Sequence, residues 1–241
     1  MFKQNIQDTL AQQLQTLPEI VIANNLKRDI DELVASHISQ GKLLIIDDLD
    51  THEAYGGKVA RALKGKYSIH TMTLPRHPTA SDEHCKQIIQ LAKQADGLIA
   101  VGSGTINDLT KYAAHECKKP YIVFPTAASM NGYVSQNASI EINGQKQSIA
   151  ASLPKAVLID MQTIAAAPIR LSQAGLGDCL ARPTAQADWL LAHYLIDEPY
   201  STIPYDLIAD DEPQLFDQAK AIIQHDIPSL EHLMKILLLS G

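Results

Sequence analysis

The sequence predicts an α/β protein, with a doubly wound parallel sheet in its N-terminal part and an α-helical C-terminal part. Three observations carry this. Short, uninterrupted apolar runs recur, of which Leu43-Leu44-Ile45-Ile46, Leu98-Ile99-Ala100-Val101 and Tyr121-Ile122-Val123-Phe124 are the clearest, as strands covered on both faces require. Segments with apolar residues at helical spacing separate these runs, and such alternation with short connections builds a parallel sheet. Beyond about residue 165 only helical patterns remain, which places a domain boundary between 1–165 and 166–241.

Composition narrows the functional classes. The chain has 241 residues, 46% apolar and 20% charged, with a mean hydropathy of −0.07, as expected of a chain that buries a sizeable core. The net charge of −7 comes with dispersed lysines and arginines, which argues against nucleic acid as a partner, since that leaves a basic face. No apolar stretch approaches the ~18–20 residues of a membrane span, and the polar start Met1-Phe2-Lys3-Gln4 lacks the apolar core of a signal peptide. Cys85, Cys117 and Cys179 are far apart, odd in number and without zinc-type spacing. These features predict a cytoplasmic protein with neither nucleic acid nor a membrane as partner.

In chain order, Ile6, Leu10, Leu14 and Leu17 suggest an N-terminal helix within residues 1–18, and residues 19–23 a strand. Residues 26–38 have helical spacing, with Gly41 as a stop. Strands follow at 42–46 and 67–74 with a helix between them reaching Leu63, and Ser81 or Asp82 can cap the helix carrying Ile88 and Leu91. The strand at Leu98 ends at Gly102-Ser103-Gly104, a helix runs on to Cys117, and the next strand spans 121–124. After Pro125 comes a long polar loop, then a hairpin over 140–149 centred on Asn143-Gly144, the strongest short-range hairpin pattern. One more strand, 156–159, is closed by Asp160; helices are expected at 162–166, 170–174, 177–195, 214–224 and 229–239.

Several residue groups could carry chemistry. The order strand, Gly102-Ser103-Gly104, helix suits a phosphate, because the first N–H groups of a helix lack internal partners and sit at the positive end of its dipole. The spacing is Gly-x-Gly-x-x-x-Asp, ending at Asp108; it departs from the usual dinucleotide fingerprint, and an ordinary strand-to-helix turn remains the other reading. Asp48, just past a strand end, can accept from ribose hydroxyls, although Asp50 or Thr51 starts the next helix and capping is equally natural there. Thr126, Ser129, Asn131 and Ser135 offer hydroxyls and an amide at the open end of the sheet, or simply satisfy their own turn. Asp178, in Ala174-Gly175-Leu176-Gly177-Asp178, opens a helix as a cap or projects as a metal ligand. His115, His193, His225 and His232 are single and unmatched.

Three segments together resemble a known family: Val101-Gly102-Ser103-Gly104-Thr105-Ile106-Asn107-Asp108, Pro125-Thr126-Ala127-Ala128-Ser129-Met130-Asn131-Gly132-Tyr133, and Ala174-Gly175-Leu176-Gly177-Asp178. In this order they are similar to the bacterial branch of the sn-glycerol-1-phosphate dehydrogenases, within the dehydroquinate synthase-like and iron-containing alcohol dehydrogenase superfamily. Supporting segments are Asp48 to Thr51, Pro154-Lys155-Ala156-Val157 and Thr184-Ala185-Gln186-Ala187-Asp188-Trp189.

The resemblance implies a Rossmann-like sheet domain and an incomplete helical domain, with NAD or NADP as cofactor. It assigns Gly102, Ser103, Gly104, Thr105 and Ile106 to the pyrophosphate, Asp48 to the adenosine ribose, and Thr126, Ser129 and Ser135 to the nicotinamide side. Asn131 would contact substrate. Asp178 would ligate a catalytic divalent metal (zinc, nickel or iron) and meet the substrate. The implied reaction is hydride transfer between NAD(P)H and dihydroxyacetone phosphate, giving sn-glycerol 1-phosphate, with the metal polarising the carbonyl. A homodimer is compatible with this reading. Family members continue past the Ser-Gly equivalent to Ser240-Gly241 and draw two metal-binding histidines from that region, so the chain reads as C-terminally truncated. A catalytic zinc usually needs three protein ligands, and the apolar helix over 229–239 is expected to leave an exposed patch. Two alternatives follow: a nucleotide-binding module without catalysis, or a related dehydrogenase of another polyol.

Overall fold

The computed structural model describes residues 17–26 and 29–240. Six strands form one parallel sheet: β1 (Glu19–Ala23), β2 (Lys42–Asp48), β3 (Ser68–Leu74), β4 (Gly97–Gly102), β5 (Tyr121–Pro125) and β8 (Ala156–Asp160), in the spatial order β1-β8-β5-β4-β2-β3. Residues alternate between two apolar layers, as the two-residue side-chain period of a strand demands. Leu44, Ile46, Leu98, Ala100, Val123, Val157 and Ile159 enter one layer; Leu43, Ile45, Ile99, Val101, Ile122, Phe124 and Leu158 enter the other. Covered on both faces, the central strands carry no polar alternation, which explains the continuous apolar runs.

Helices fill both layers. Against one face lie α1 (Ile30–Ala35), through Ile30 and Val34, and α2 (Gly57–Leu63), through Val59 and Leu63. Ahead of α2, a helical turn at Leu49–Thr51 opens into a π-helical stretch, His52–Gly56. A Cβ on Gly56 would stand 2.2 Å from the Asp47 carboxylate, so glycine lets this wider turn pass against the end of β2. The other face carries α3 (Asp82–Ala92) and α4 (Gly104–Cys117), through Ile88, Ile106, Leu109 and Ala113. Ser81 caps α3, its hydroxyl accepting from the His84 N–H. The hairpin β6 (Asn137–Ile142) and β7 (Gln145–Ala150) turns at Asn143 and Gly144, both with positive φ, as its two-residue turn requires.

The C-terminal part contains α5 (Met161–Ala166), α6 (Ile169–Ile196), α7 (Ile203–Asp206), α8 (Glu212–Asp217), α9 (Ala219–Ile223) and α10 (Ile227–Leu239). Four expectations need correction. The helix of 26–38 condenses to α1, and that of 214–224 is divided between α8 and α9. The separate helices at 170–174 and 177–195 are one, α6, which runs unbroken through Gly175, Gly177 and Pro183. Finally, α10 is not an exposed apolar patch. Leu230, Leu233, Met234, Ile236 and Leu237 are buried in the same layer as Val157 and Ile159, and Leu239 is half exposed. Exposed apolar side chains lie instead along α6, at Leu180 and, on its distal half, at Leu191, Leu195 and Ile196. The N-terminal helix expected within 1–18 falls almost wholly outside the described residues. Among the described residues no helix is long and apolar enough to cross a membrane.

Candidate functional site

In the sheet, β3 lies on one side of β2 and β4 on the other. The order reverses there, and in open α/β sheets the crevice beyond the carboxyl ends of the strands at such a point receives ligands. A cleft of about 610 Å³ opens at this place, within the range of small-molecule sites. Asp48 at the end of β2, the start of α4 and Thr126 after β5 line it, with α5 and the first turn of α6 as the opposite wall.

The start of α4 is open. Ser103 occupies the cap position and makes no side-chain cap bond, so the first-turn N–H groups keep their dipole-enhanced donors for another acceptor. The two glycines serve different ends. A Cβ on Gly102 would lie 2.6 Å from Ile106 Cβ, so Gly102 lets strand and helix close on each other. A Cβ on Gly104 would meet nothing nearer than Met130 Cγ at 3.8 Å, so no neighbouring protein group demands glycine there. Ser103, Thr105 and Ile106 border the cleft.

Asp48 holds a capping box. Its Oδ1 accepts from Thr51 N–H (2.8 Å), and Thr51 Oγ1 accepts from the Asp48 N–H (2.9 Å). The capping reading was right in kind but belongs to Asp48 itself rather than to Asp50 or Thr51, and the cap uses only one carboxylate oxygen. Arg76 nearby is committed to Asp50 and Glu53, whereas Lys58 reaches the cleft with its ammonium 5.6 Å from the Tyr55 ring centroid. Directly before Asp48, Asp47 is fully buried, with its Oδ2 2.7 Å from His52 Nδ1; burial pushes its carboxyl above the ordinary range.

The far wall was not read from the sequence. Asp160 caps α5 by accepting from Thr163 N–H (3.0 Å), while its second oxygen accepts from Leu26 N–H (3.1 Å) and Tyr55 OH (3.2 Å). Gln162, Thr163 and Arg170 face the cleft. A pattern did mark this wall: Asp160-x-x-Thr163 repeats Asp48-x-x-Thr51, each an acid at the end of a buried strand followed by a helix start.

The loop after β5 splits its predicted residues. Thr126 lies on the cleft and is nearly buried. Ser129 and Ser135, expected on the nicotinamide side, do not border it. Ser135 accepts from Lys111 Nζ (3.1 Å), and its hydroxyl lies 3.0 Å from the Asn137 carbonyl. Asn131 N–H donates to Asp178 Oδ2 (2.9 Å), and its side chain donates to the Ser240 carbonyl (3.2 Å). Asp178 therefore stands within α6, not at a helix start, and caps nothing. The structure brings Asn131 and Asp178 together, outside the lining of the cleft.

A metal fits poorly with the described residues alone. Among them no group of three or more His, Cys, Asp or Glu side chains converges. His115, His193, His225 and His232 each bond to a hydroxyl, carbonyl or amide oxygen, of Ser152, Glu198, Ala165 and Gln218 respectively. Asp178 alone does not supply the ligand number of a catalytic centre. The three cysteines are free, and burial pushes the thiols of Cys85 and Cys179 up to about 12, which makes them poor ligands and poor nucleophiles.

Fold and site together define a doubly wound α/β protein with an open helix N-terminus at its switch point. The chain belongs to the iron-containing alcohol dehydrogenase family, whose pattern matches residues 21–168. It is 33% identical over 231 residues to the glycerol-1-phosphate dehydrogenase (NAD(P)+) of Bacillus velezensis, covering 93% of this chain and 58% of that protein. It is likewise 33% identical over 230 residues to the enzyme of the same name from Thermococcus kodakarensis, covering 95% and 65%. The chain thus spans roughly half to two thirds of the length of these curated relatives. Among solved structures, glycerol dehydrogenase from Schizosaccharomyces pombe shares the fold with a TM-score of 0.75 at 19% identity, over 94% of this chain and 61% of that one. Sulfoacetaldehyde reductase from Bifidobacterium kashiwanohense in complex with NAD+ does so at 0.73 and 16%, over 94% and 65%.

Proposed function

We propose that this chain provides the cofactor site of an NAD(P)-dependent oxidoreductase that interconverts dihydroxyacetone phosphate and sn-glycerol 1-phosphate. The observation that carries this is the uncapped start of α4 facing a cleft with Asp48 beside it. Backbone N–H groups of Gly104 to Ile106 would hold the pyrophosphate, and the free oxygen of Asp48 a ribose hydroxyl. Thr126 would border the nicotinamide side, with Ser129 further along the same loop. Ser135 is better placed to hold the loop than the cofactor. Residues 1–165 would form the nucleotide part and 166–241 belong to the helical part.

The bound cofactor supplies or accepts the hydride. The protein's share is to neutralise the pyrophosphate, exclude water and present substrate at a fixed distance. Asn131 and Asp178, joined by a hydrogen bond, would form the substrate side, and Asp178 is the one residue here assigned to a divalent metal. A catalytic zinc usually takes three protein ligands, and Asp178 supplies one. Similarity to glycerol-1-phosphate dehydrogenases supports this choice of substrate.

The reading is tested with Gly104→Val, which places a branched side chain where the pyrophosphate would approach. The space around Gly104 accommodates a Cβ, so the variant should fold. NADH affinity by calorimetry should fall by about a hundredfold or more, the scale of losing the charged hydrogen bonds of a phosphate. Undiminished affinity would refute the cradle. Failure of the unmodified chain to turn over dihydroxyacetone phosphate with NADH and added metal, despite tight NADH binding, would favour a nucleotide-binding module without catalysis.

A further inference from the structure

We infer that Lys111 is a positioning residue that pins the substrate loop to the cofactor helix, and so sets the distance between cofactor cradle and Asp178. Lys111 lies on α4, about two turns from the open N-terminus, and its side chain is wholly buried. A buried ammonium needs full hydrogen bonding to offset its lost hydration, and the acceptors it finds all lie within residues 132–137, in the loop and at the first residue of β6. Nζ donates to the Gly132 carbonyl (2.7 Å), Ser135 Oγ (3.1 Å) and the Asn137 carbonyl (3.0 Å). Its three donors are thereby used, and Asp108 Oδ1, one helical turn back, lies 3.7 Å away as counter-ion. The Gly132 carbonyl also accepts from Asn107 Nδ2 (3.2 Å), so two successive turns of α4 grip the same peptide. Asp108 holds the start of the hairpin as well, its Oδ2 accepting from Ser139 N–H (3.1 Å).

The consequence lies one residue away. Asn131, next to the gripped Gly132, donates its N–H to Asp178 on α6. A continuous chain of contacts therefore runs from the helix whose N-terminus faces the cleft, through Lys111 and the Gly132 peptide, to the carboxylate on the other side. The contact of loop and α6 is itself close: a Cβ on Gly175 would stand 2.1 Å from the Ala128 carbonyl oxygen. Hydride transfer tolerates little error in donor–acceptor distance, and an ammonium with three fixed acceptors is a stiffer link than apolar packing alone. This inference rests on the proposed function for its catalytic consequence, but the pin itself does not.

Lys111→Met keeps the length of the side chain and removes the donors. Because it leaves Asp108 without its counter-ion, the double variant Asp108→Asn/Lys111→Met is made beside it. Hydrogen exchange followed by mass spectrometry should show amides of residues 130–137 exchanging about tenfold faster or more, with β2 and β4 unchanged, as for a local opening. In turnover of dihydroxyacetone phosphate with NADH, kcat should fall roughly tenfold to a hundredfold while KM for NADH stays put. A folded variant, single or double, with undisturbed exchange at 130–137 overturns the inference. So does faster exchange with kcat unchanged. If the unmodified chain shows no turnover, the proposed reaction fails, and the exchange result still decides whether Lys111 holds the loop.

Discussion

Asp48 holds a structural role on one carboxylate oxygen and, in the proposed complex, a recognition role on the other. Its Oδ1 closes a capping box with Thr51, and in the proposed complex its other oxygen receives a ribose hydroxyl. The two duties separate by substitution. Asparagine caps a helix as well as aspartate, so Asp48→Asn should keep the melting temperature yet remove the charge that opposes a 2′-phosphate. The ratio of the NADPH and NADH dissociation constants should drop by about tenfold, since a unit charge in contact at a protein surface contributes on the order of 1–4 kcal/mol. Asp48→Ala should in addition lose about 0.5–2 kcal/mol of stability with the cap. Calorimetric titration with both cofactors checks this, and an unaltered ratio would move the ribose elsewhere. The acid beside a strand end was legible from sequence. That it caps the helix with one oxygen was not, because a carboxylate three residues before a threonine reads the same in either role.

At the level of elements, α6 departs most from its sequence pattern. Two glycines within three residues read as a break between helices, yet the helix is continuous. Gly175 is there because the Ala128 carbonyl passes where a Cβ would be; Gly177 has nothing within 4 Å. Gly175→Ala should therefore force α6 away from the loop and cost about 1–3 kcal/mol, as overpacking does. Gly177→Ala should stabilise the chain by about 0.5–1 kcal/mol, the helical preference of alanine over glycine. Urea denaturation of the two variants measures both signs, and equal effects would mean that the close approach is not what requires Gly175. The same approach of loop and helix seats Asn131 against Asp178, so the position of the proposed substrate side depends on a residue without a side chain.

For the whole molecule, the cleft is closed by walls from distant parts of the chain. Tyr55 OH and Leu26 N–H both bond to Asp160 at the end of β8, tying the π-helical stretch and the segment after β1 to the wall made by α5. A nucleotide spanning this cleft would bind only the assembled fold. NADH at a hundredfold above its dissociation constant should add about 2.7 kcal/mol to stability and raise the melting temperature by about 5–10 °C; the Gly104→Val variant should show no rise. Thermal unfolding with and without NADH decides it. The strands, the parallel α/β class, the Asn143-Gly144 hairpin and the strand-to-helix turn at Gly102-Ser103-Gly104 were legible in the sequence, because their signals lie in short local runs and their alternation. Long-range packing alone covers α10, brings Thr163 beside the cleft with Asp160 capping its helix, and turns Lys111 inward to hold Gly132. Those contacts join residues 21 to 134 positions apart, and at that range the acceptor that satisfies a buried donor is chosen by the packing of layers, not by local spacing.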